Sequence, residues 1–376
     1  MRQADILLDP ELETPTPLGV ARSGVRLENS VNLYSIDPLS DGRWDELVAR
    51  HSNASVFHDR GWLEALRRTY GYAPFVLTSS PPGEPLTDGI ALCRVSSWLT
   101  GTRLVSLPFA DHCAPLLTRE GAQREFLTWL QAECERHHYK YVELRPLHPW
   151  AQAEEMLRPS QSYCFHELDV RPAEGQLFDR LHKDSIQRKI QRAEREHLSY
   201  EAGRSEQLQK EFYRLLVMTR KRHVLPPQPR AWFRNLSECL GEKLLIRVAR
   251  KNGVAIAALL ALRHGPTTVY KYGCSDEQFH NLGAMPLLFW RMIQESKASG
   301  TERIDFGRSD LNNEGLIAFK NKWGTTSRTL TYYRYPELKQ QLNSSKWDSR
   351  PVRQFFAWLP DSVLSAAGKV LYRHIG

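Results

Sequence analysis

The chain spells one structural unit twice, and that repetition limits its fold more than any other feature. In the first half, Phe75 to Thr78 reads as a strand, a Pro/Gly turn follows, and Gly89 to Val95 and Arg103 to Leu107 read as further strands. A helical pattern from Gly121 to about His137 then leads into a strand, Tyr139 to Leu144, closed by Arg145 and Pro146. In the second half Leu244 to Arg250 is a strand, and Asn252-Gly253 supplies the positive backbone angles that a two-residue hairpin turn needs before Val254 to Leu262 returns. Val269 to Tyr272, a helix from about Ala284 to Ser299 stopped by Gly300, and a strand from Arg303 to Phe306 complete the same order. Gly89 and Gly253 lie 164 positions apart, and Leu144 and Phe306 lie 162 apart. A unit of about 160 residues, an ordinary domain size, therefore occurs twice. Strand, turn, strand, strand, helix, strand predicts an α/β (α+β) fold of two tandem domains, each a mixed, mostly antiparallel sheet flanked by helices.

The 376 residues, 41% of them hydrophobic, suffice for two real cores. The chain divides into a disordered Pro- and acid-rich tail (residues 1–30), a first domain (31–171), a second domain (172–336) and a C-terminal amphipathic tail (337–376). Lys and Arg outnumber Asp and Glu by 51 to 43, which favours anionic partners; the basic residues are dispersed and match no nucleic-acid-binding motif. The six cysteines include no CxxC pair, so neither a disulfide framework nor a zinc site has its usual spacing, and reduced thiols in the cytosol are expected. No set of His, Asp and Glu has metal-ligand spacing. The first thirty residues lack the basic start and apolar core of a secretory signal and no later run reaches membrane-spanning length, so a cytoplasmic protein is expected. In the C-terminal tail, basic residues flank Phe355, Phe356, Trp358, Leu359 and Leu371, which fits either a helix on the inner membrane surface or one packed on the second domain.

Polar chemistry concentrates between Thr301 and Gly324. A strand ending near Phe306 breaks at Gly307 and runs through Arg308, Ser309, Asp310, Asn312 and Asn313 into a short helix carrying Phe319, Lys320 and Trp323. Side chains at the carboxyl end of such a strand face a crevice, so the stretch reads as a substrate site; the plainer alternative is an Asn-capped helix whose Lys320 points to water. Between the two units, Leu177 to Leu198 is an amphipathic helix with Ile186, Ile190 and Ala193 on one face and Arg188, Arg192 and Arg195 on the other. That basic face is either simply solvated or binds phosphate through His182, Lys183, Arg188 or Lys189.

The order of elements, Tyr270 to Trp290 (YKYGCSDEQFHNLGAMPLLFW) and Asp305 to Gly324 (DFGRS…GLIAFKNKWG) resemble the FemAB-like acyltransferases, built from two GNAT-type domains. The resemblance covers about residues 31 to 336 and includes the Ser55 to Leu66 helix, SVFHDRGWLEAL. It is strongest for the branch described as BioF2-like acetyltransferase, associated with exosortase and exopolysaccharide systems. It implies a fork between two neighbouring strands, whose freed backbone N–H groups bind an acyl donor and polarise its carbonyl while an acceptor amine attacks directly. Coenzyme A-using relatives bind pyrophosphate at a helix N-terminus through a Gln/Arg-x-x-Gly-x-Gly/Ala loop, matched here by Gln278, Asn281 and Gly283, with Asn281 standing where Gly is usual and expected to adopt the left-handed conformation.

The resemblance further implies that the second domain is catalytic and the first shapes the acceptor side. Lys320 is expected to stabilise negative charge on the donor carbonyl or a substrate phosphate, and Ser309 or Asp310 to hydrogen-bond the acceptor. Arg308, Arg145, Lys183 and Arg188 are expected to bind substrate anions. Tyr272, facing Phe306 across the fork, either donates a proton to the leaving group or is an aromatic pair without chemistry. Arg145 stands where peptidoglycan-directed members carry an acid. The expected function is N-acyl transfer from acyl-CoA, or from aminoacyl-tRNA, to a small-molecule or lipid-linked amino sugar or other envelope precursor, with no permanent cofactor. The competing reading is a non-catalytic binding or assembly protein of a polysaccharide export system.

Overall fold

The computed structural model describes residues 32–118, 122–337, 368 and 371–374. The expected N-terminal tail and most of the C-terminal tail lie outside them. The first half contributes β1 (Tyr34–Ile36), α1 (Arg43–Arg50), α2 (Arg60–Tyr70), β2 (Ala73–Thr78), β3 (Ile90–Val95), β4 (Arg103–Val105), α3 (Ala122–Arg136), β5 (Val142–Leu144), α4 (Ala151–Met156) and β6 (Arg158–Asp169). Next come α5 (Glu174–Asp179) and α6 (Arg188–Arg195), so the helix expected across 177–198 is broken, with one π-helical turn at Lys183–Gln187. The second half is β7 (Ser199–Gly203), α7 (Glu206–Arg222), α8 (Arg230–Leu240), β8 (Leu244–Lys251), β9 (Val254–His264), β10 (Thr267–Ser275), α9 (Ala284–Ala298), β11 (Arg303–Asp310), α10 (Glu314–Asn321) and β12 (Thr326–Tyr335).

The twelve strands among the described residues form one sheet in the order β1-β2-β3-β4-β5-β12-β6-β11-β10-β9-β8-β7. That order is the repeat made visible. Strands β1 to β5 mirror β7 to β11, and each unit sends its last strand into the other. β6 pairs with β11 while β12 pairs with β5, and the two exchanged strands pair with each other along Thr326–Arg334. Strand β11 continues to Asp310, so Arg308 and Ser309 lie within a ladder rather than in the polar loop that the sequence suggests.

Apolar residues on both faces of the sheet place helices on each. One face carries α1, α2, α7 and α8 over a core shared by both units, in which Trp62 meets Trp232 edge-on at 5.2 Å. On the other face the units keep separate cores, α3 and α4 over the first and α6, α9 and α10 over the second. Burying a large aromatic such as Phe289 against Phe306 and Trp323 contributes on the order of 2–3 kcal/mol over leaving it in water, so α9 and α10 are held firmly where the site needs them.

Candidate functional site

Among the described residues only two neighbouring pairs in the sheet are parallel, β4–β5 and β10–β11, one per unit. In the second unit the parallel ladder runs only from Thr267/Arg303 to Val269/Asp305, although β10 continues to Ser275 and β11 to Asp310. Beyond Val269 the strands part. The backbone groups that each turns toward the other are released from the ladder, as polarising a carbonyl requires.

A bulge between Tyr270 and Tyr272 makes this fork. Residues two apart normally share a face of a strand, but the extra residue turns these two tyrosines to opposite faces. Tyr270 packs on Phe289 at 4.7 Å, on the face of α9. Tyr272 packs on Phe233, and its hydroxyl accepts a 3.0 Å bond from Trp232 Nε1 on the other face. Burial raises the pKa of both phenols. Tyr272 is thus away from the donor side that was expected of it, and Tyr270 takes its place beside Phe306.

On the α9 face the fork opens into a cavity of about 460 Å3. Its interior is apolar, with Ile186, Ile256, Tyr270, Met285, Phe289 and Phe319, while Lys189, Arg222 and Lys322 bring positive charge to it. That combination suits a thioester on an extended arm with phosphates at its far end. Of the four basic residues considered between the units, Lys189 reaches this cavity. Lys183 and Arg188 lie exposed, and Arg188 is paired with Asp184 at 2.8 Å.

The expected pyrophosphate loop has a different form. Glu277–Leu282 is a 3-10 turn in which Gln278 N donates to Asp276 Oδ1 at 3.0 Å, and both Gln278 and Asn281 are exposed. The left-handed residue is Gly283 (φ +78°), not Asn281, and a Cβ on Gly283 would stand 2.1 Å from Lys189 O. Glycine is needed there because α6 runs against the start of α9. Pro286, in the first turn of α9, supplies no N–H. Side-chain cations at the cavity, rather than a row of helix amides, are therefore the principal anion contacts on offer.

Behind the fork sits a part-buried charged cluster of which sequence reasoning named only Arg308. Asp111, from the first unit, accepts from Lys271 Nζ at 2.8 Å and lies 3.7 Å from Arg308 Nε. Burial works against its charge, but Lys271 and Arg308 outweigh that and hold its carboxyl below the ordinary range. Lys271, the residue at the bulge, also lies over the Phe57 ring at 5.1 Å. Arg308 is stacked 3.9 Å from the centre of Tyr163 and has one buried, unpartnered nitrogen, Nη1. Nothing near Asp111 in the sequence marks it; 160 positions separate it from Lys271.

Lys320 is 2% exposed and donates to Gly307 O and Arg308 O at 3.0 Å each. Asn313 does cap α10, through a 3.1 Å bond from Leu316 N, yet Lys320 does not point to water. Burial lowers its pKa to about 8, against the pull of Asp111 and Asp305. Its ammonium braces β11 where Gly307 takes φ +70° under the Asp111 carboxylate. Ser309 is buried with an unpartnered hydroxyl, and Asp310 is exposed at the strand's end.

The matching fork of the first unit is closed by its own chain. Residues 107–116 fold back across it, with Leu107 and Phe109 at positive φ, and Cys113 bridges to Arg145. Arg145, expected to meet substrate, donates to Leu107 O (3.1 Å), Ala110 O (3.2 Å) and Glu143 (2.8 Å) and is largely buried. Its guanidinium is committed to holding the loop that delivers Asp111.

The family profile of acetyltransferase (GNAT) domains matches residues 180–320. The lipid II:glycine glycyltransferase of Staphylococcus saprophyticus subsp. saprophyticus is 27% identical over 94 residues, a match that spans 23% of this chain and 23% of that protein's length. Among solved structures, FemX superposes with a TM-score of 0.64 at 13% identity, over 81% of this chain and 96% of FemX. A tandem GNAT protein from the clavulanic acid biosynthesis pathway gives 0.50 at 12% identity, over 80% and 98%. The C-terminal domain of a putative lysylphosphatidylglycerol synthetase from Agrobacterium fabrum gives 0.52 at 14% identity, over 78% and 91%. The open fork and these matches agree: residues 180–320 match the acetyltransferase (GNAT) domain family, and the fold of the chain is that of tandem-GNAT structures such as FemX.

Proposed function

We propose that the protein is an N-acyltransferase that moves an acyl group from an acyl-CoA thioester to the amine of an amino sugar or other cell-envelope or exopolysaccharide precursor. The observation that supports this most is the fork between β10 and β11, whose ladder stops at Val269/Asp305 and which opens directly onto the apolar, cation-lined cavity. The acyl chain and pantetheine arm occupy the apolar interior, and the phosphates meet Lys189, Arg222 and Lys322. The neutral amine forms the C–N bond at the donor carbonyl. Freed backbone N–H groups hold the resulting oxyanion, the C–S bond breaks, and the proton lost by nitrogen ends on the departing thiolate. No covalent enzyme intermediate is needed. The Asp111 carboxylate, kept ionised by Lys271 and Arg308, attracts and orients the acceptor ammonium before it loses its proton to bulk water. Lys320 is a positioning residue that fixes the β11 backbone on which the fork depends.

Binding to the folded state raises the unfolding temperature by mass action, so acetyl-CoA or a longer acyl-CoA is expected to stabilise the protein. Charged tRNA is the second donor class to try, and peripheral membrane contact is assayed separately with anionic vesicles. Absence of stabilisation by every acyl-CoA and charged tRNA, with no N-acyl product from any amino sugar, would favour a binding protein over an enzyme.

A further inference from the structure

A second cavity, of about 450 Å3, lies on the opposite face of the sheet from the donor cavity. Its floor comes from adjacent strands: Val269 on β10, Arg303 and Asp305 on β11, Phe165 and Glu167 on β6, and Arg328 on β12. Its cover comes from the first unit, through residues 50–56, His112 and His148. Two features mark it as built for a ligand. Arg303 and Arg328 have no carboxylate partner among the described residues, whereas many other arginines of this chain are paired. The Arg328 guanidinium lies over the Phe165 ring at 4.7 Å, with its Nε buried and unpartnered. His112 is only 4% exposed, and its Nε2 meets Asp305 Oδ2 at 2.9 Å, which leaves Nδ1 buried without a partner. Unmatched buried polar atoms are costly unless something completes them.

We propose that this seam cavity binds the phosphate-bearing sugar acceptor. Arg303 and Arg328 take the phosphate, since two unpaired forks suit its oxygens. Glu167 accepts from sugar hydroxyls, and His112 Nδ1 accepts from a hydroxyl or amine at the inner end, a contact that Asp305 orients. Position carries the assignment to the acceptor. Val269 lines this cavity and Tyr270 the donor cavity, so the two open on opposite faces at the residues where β10 and β11 part. The amine of a bound sugar reaches the fork from one face and the thioester from the other. The assignment to an acceptor, though not to a phosphosugar site, rests on the acyl-transfer reading.

The test is calorimetric titration of glucosamine 6-phosphate up to 10 mM, with glucosamine and inorganic phosphate as parallel probes. Wild type is expected to bind the phosphosugar more tightly than either probe. Arg303→Ala, at an exposed position, and Arg328→Gln are each expected to weaken it at least tenfold, with unfolding temperatures recorded for both. The double variant Lys189→Glu/Lys322→Glu, at the other cavity, is expected to leave it unchanged. No binding by wild type, or loss only in the Lys189/Lys322 variant, overturns the proposal. So does equal affinity of the two arginine variants and wild type. Arginine-dependent binding without N-acyl product would keep this site and remove the acyl-transfer reading. Product formation unaffected by either arginine variant would do the reverse.

Discussion

Replacing Lys320 by Met separates the brace from the charge and gives a result that can be calculated. In the folded protein the pKa of Lys320 falls from 10.5 to about 8, mainly through burial. A depressed amine pKa means that the unfolded chain binds the proton more tightly. Keeping this lysine charged therefore opposes folding below pH 8, and the penalty fades as pH rises from about 8 toward 10.5. At roughly 1.4 kcal/mol per unit, the full shift corresponds to about 3 kcal/mol, and about 2 kcal/mol of it is relieved between pH 7 and pH 9.5. Methionine has no such term. It also leaves Gly307 O and Arg308 O without their ammonium partner, a loss of about 1–3 kcal/mol for each carbonyl left unsatisfied. Urea unfolding of wild type and Lys320→Met at both pH values gives a double difference in which every other titrating group cancels. Wild type is expected to gain about 2 kcal/mol on the variant on going from pH 7 to pH 9.5. Parallel stabilities at the two pH values would refute the buried, charged Lys320. The fork brace would stand refuted by wild-type turnover in a variant that folds.

Other consequences follow from the same geometry. Gly283→Ala places a methyl group against Lys189 O and requires φ +78° of a non-glycine residue, so a loss of about 2 kcal/mol or more and a weaker acyl-CoA-induced rise in unfolding temperature are expected in thermal scans. Asp111→Asn leaves Lys271 buried without its carboxylate, at about 3 kcal/mol in chemical unfolding, and is expected to lower kcat/KM for the amine by tenfold or more. A variant with unchanged kinetics would remove Asp111 from the site. Arg145→Met is expected to destabilise by about 3 kcal/mol, because Glu143 then retains Arg334 alone, while acyl-CoA affinity stays within twofold of wild type.

The repeat was legible in the sequence because its punctuation is local. Asn252-Gly253, Gly300 and the alternating apolar runs around them mark the same elements twice, and the structure carries strands there. What joins the units was not legible. β6 and β12 pair with strands of the opposite unit, a choice made by long-range contacts that no window of sequence displays. The donor side was half read. Lys320 was singled out for charge stabilisation, and in the structure its partners are backbone carbonyls on β11 rather than solvent. Tyr272 was expected on the Phe306 side, and the bulge that turns it to the other face gives no reliable residue signature. Asp111 was not singled out in the sequence, because its contacts with Lys271 and Arg308 of the other unit are long-range. Of the C-terminal tail, Leu371–His374 and Gly368 are described, and they pack rather than project. Tyr372 donates to Pro226 O at 3.1 Å, and its own carbonyl accepts from the Tyr72 hydroxyl at 2.8 Å. Among the described residues no helix is long and apolar enough to cross a membrane.

The central claim is that the fork of the second unit takes an acyl thioester through the cation-lined cavity, and steady-state transfer from acyl-CoA to glucosamine 6-phosphate, read as N-acyl product by mass spectrometry, tests it most directly. Lys189→Glu/Lys322→Glu, at surface positions of that cavity, is expected to raise KM for acyl-CoA at least tenfold while leaving kcat and the unfolding temperature close to wild type. An unchanged KM for acyl-CoA in that variant, or no N-acyl product from wild type, would contradict it.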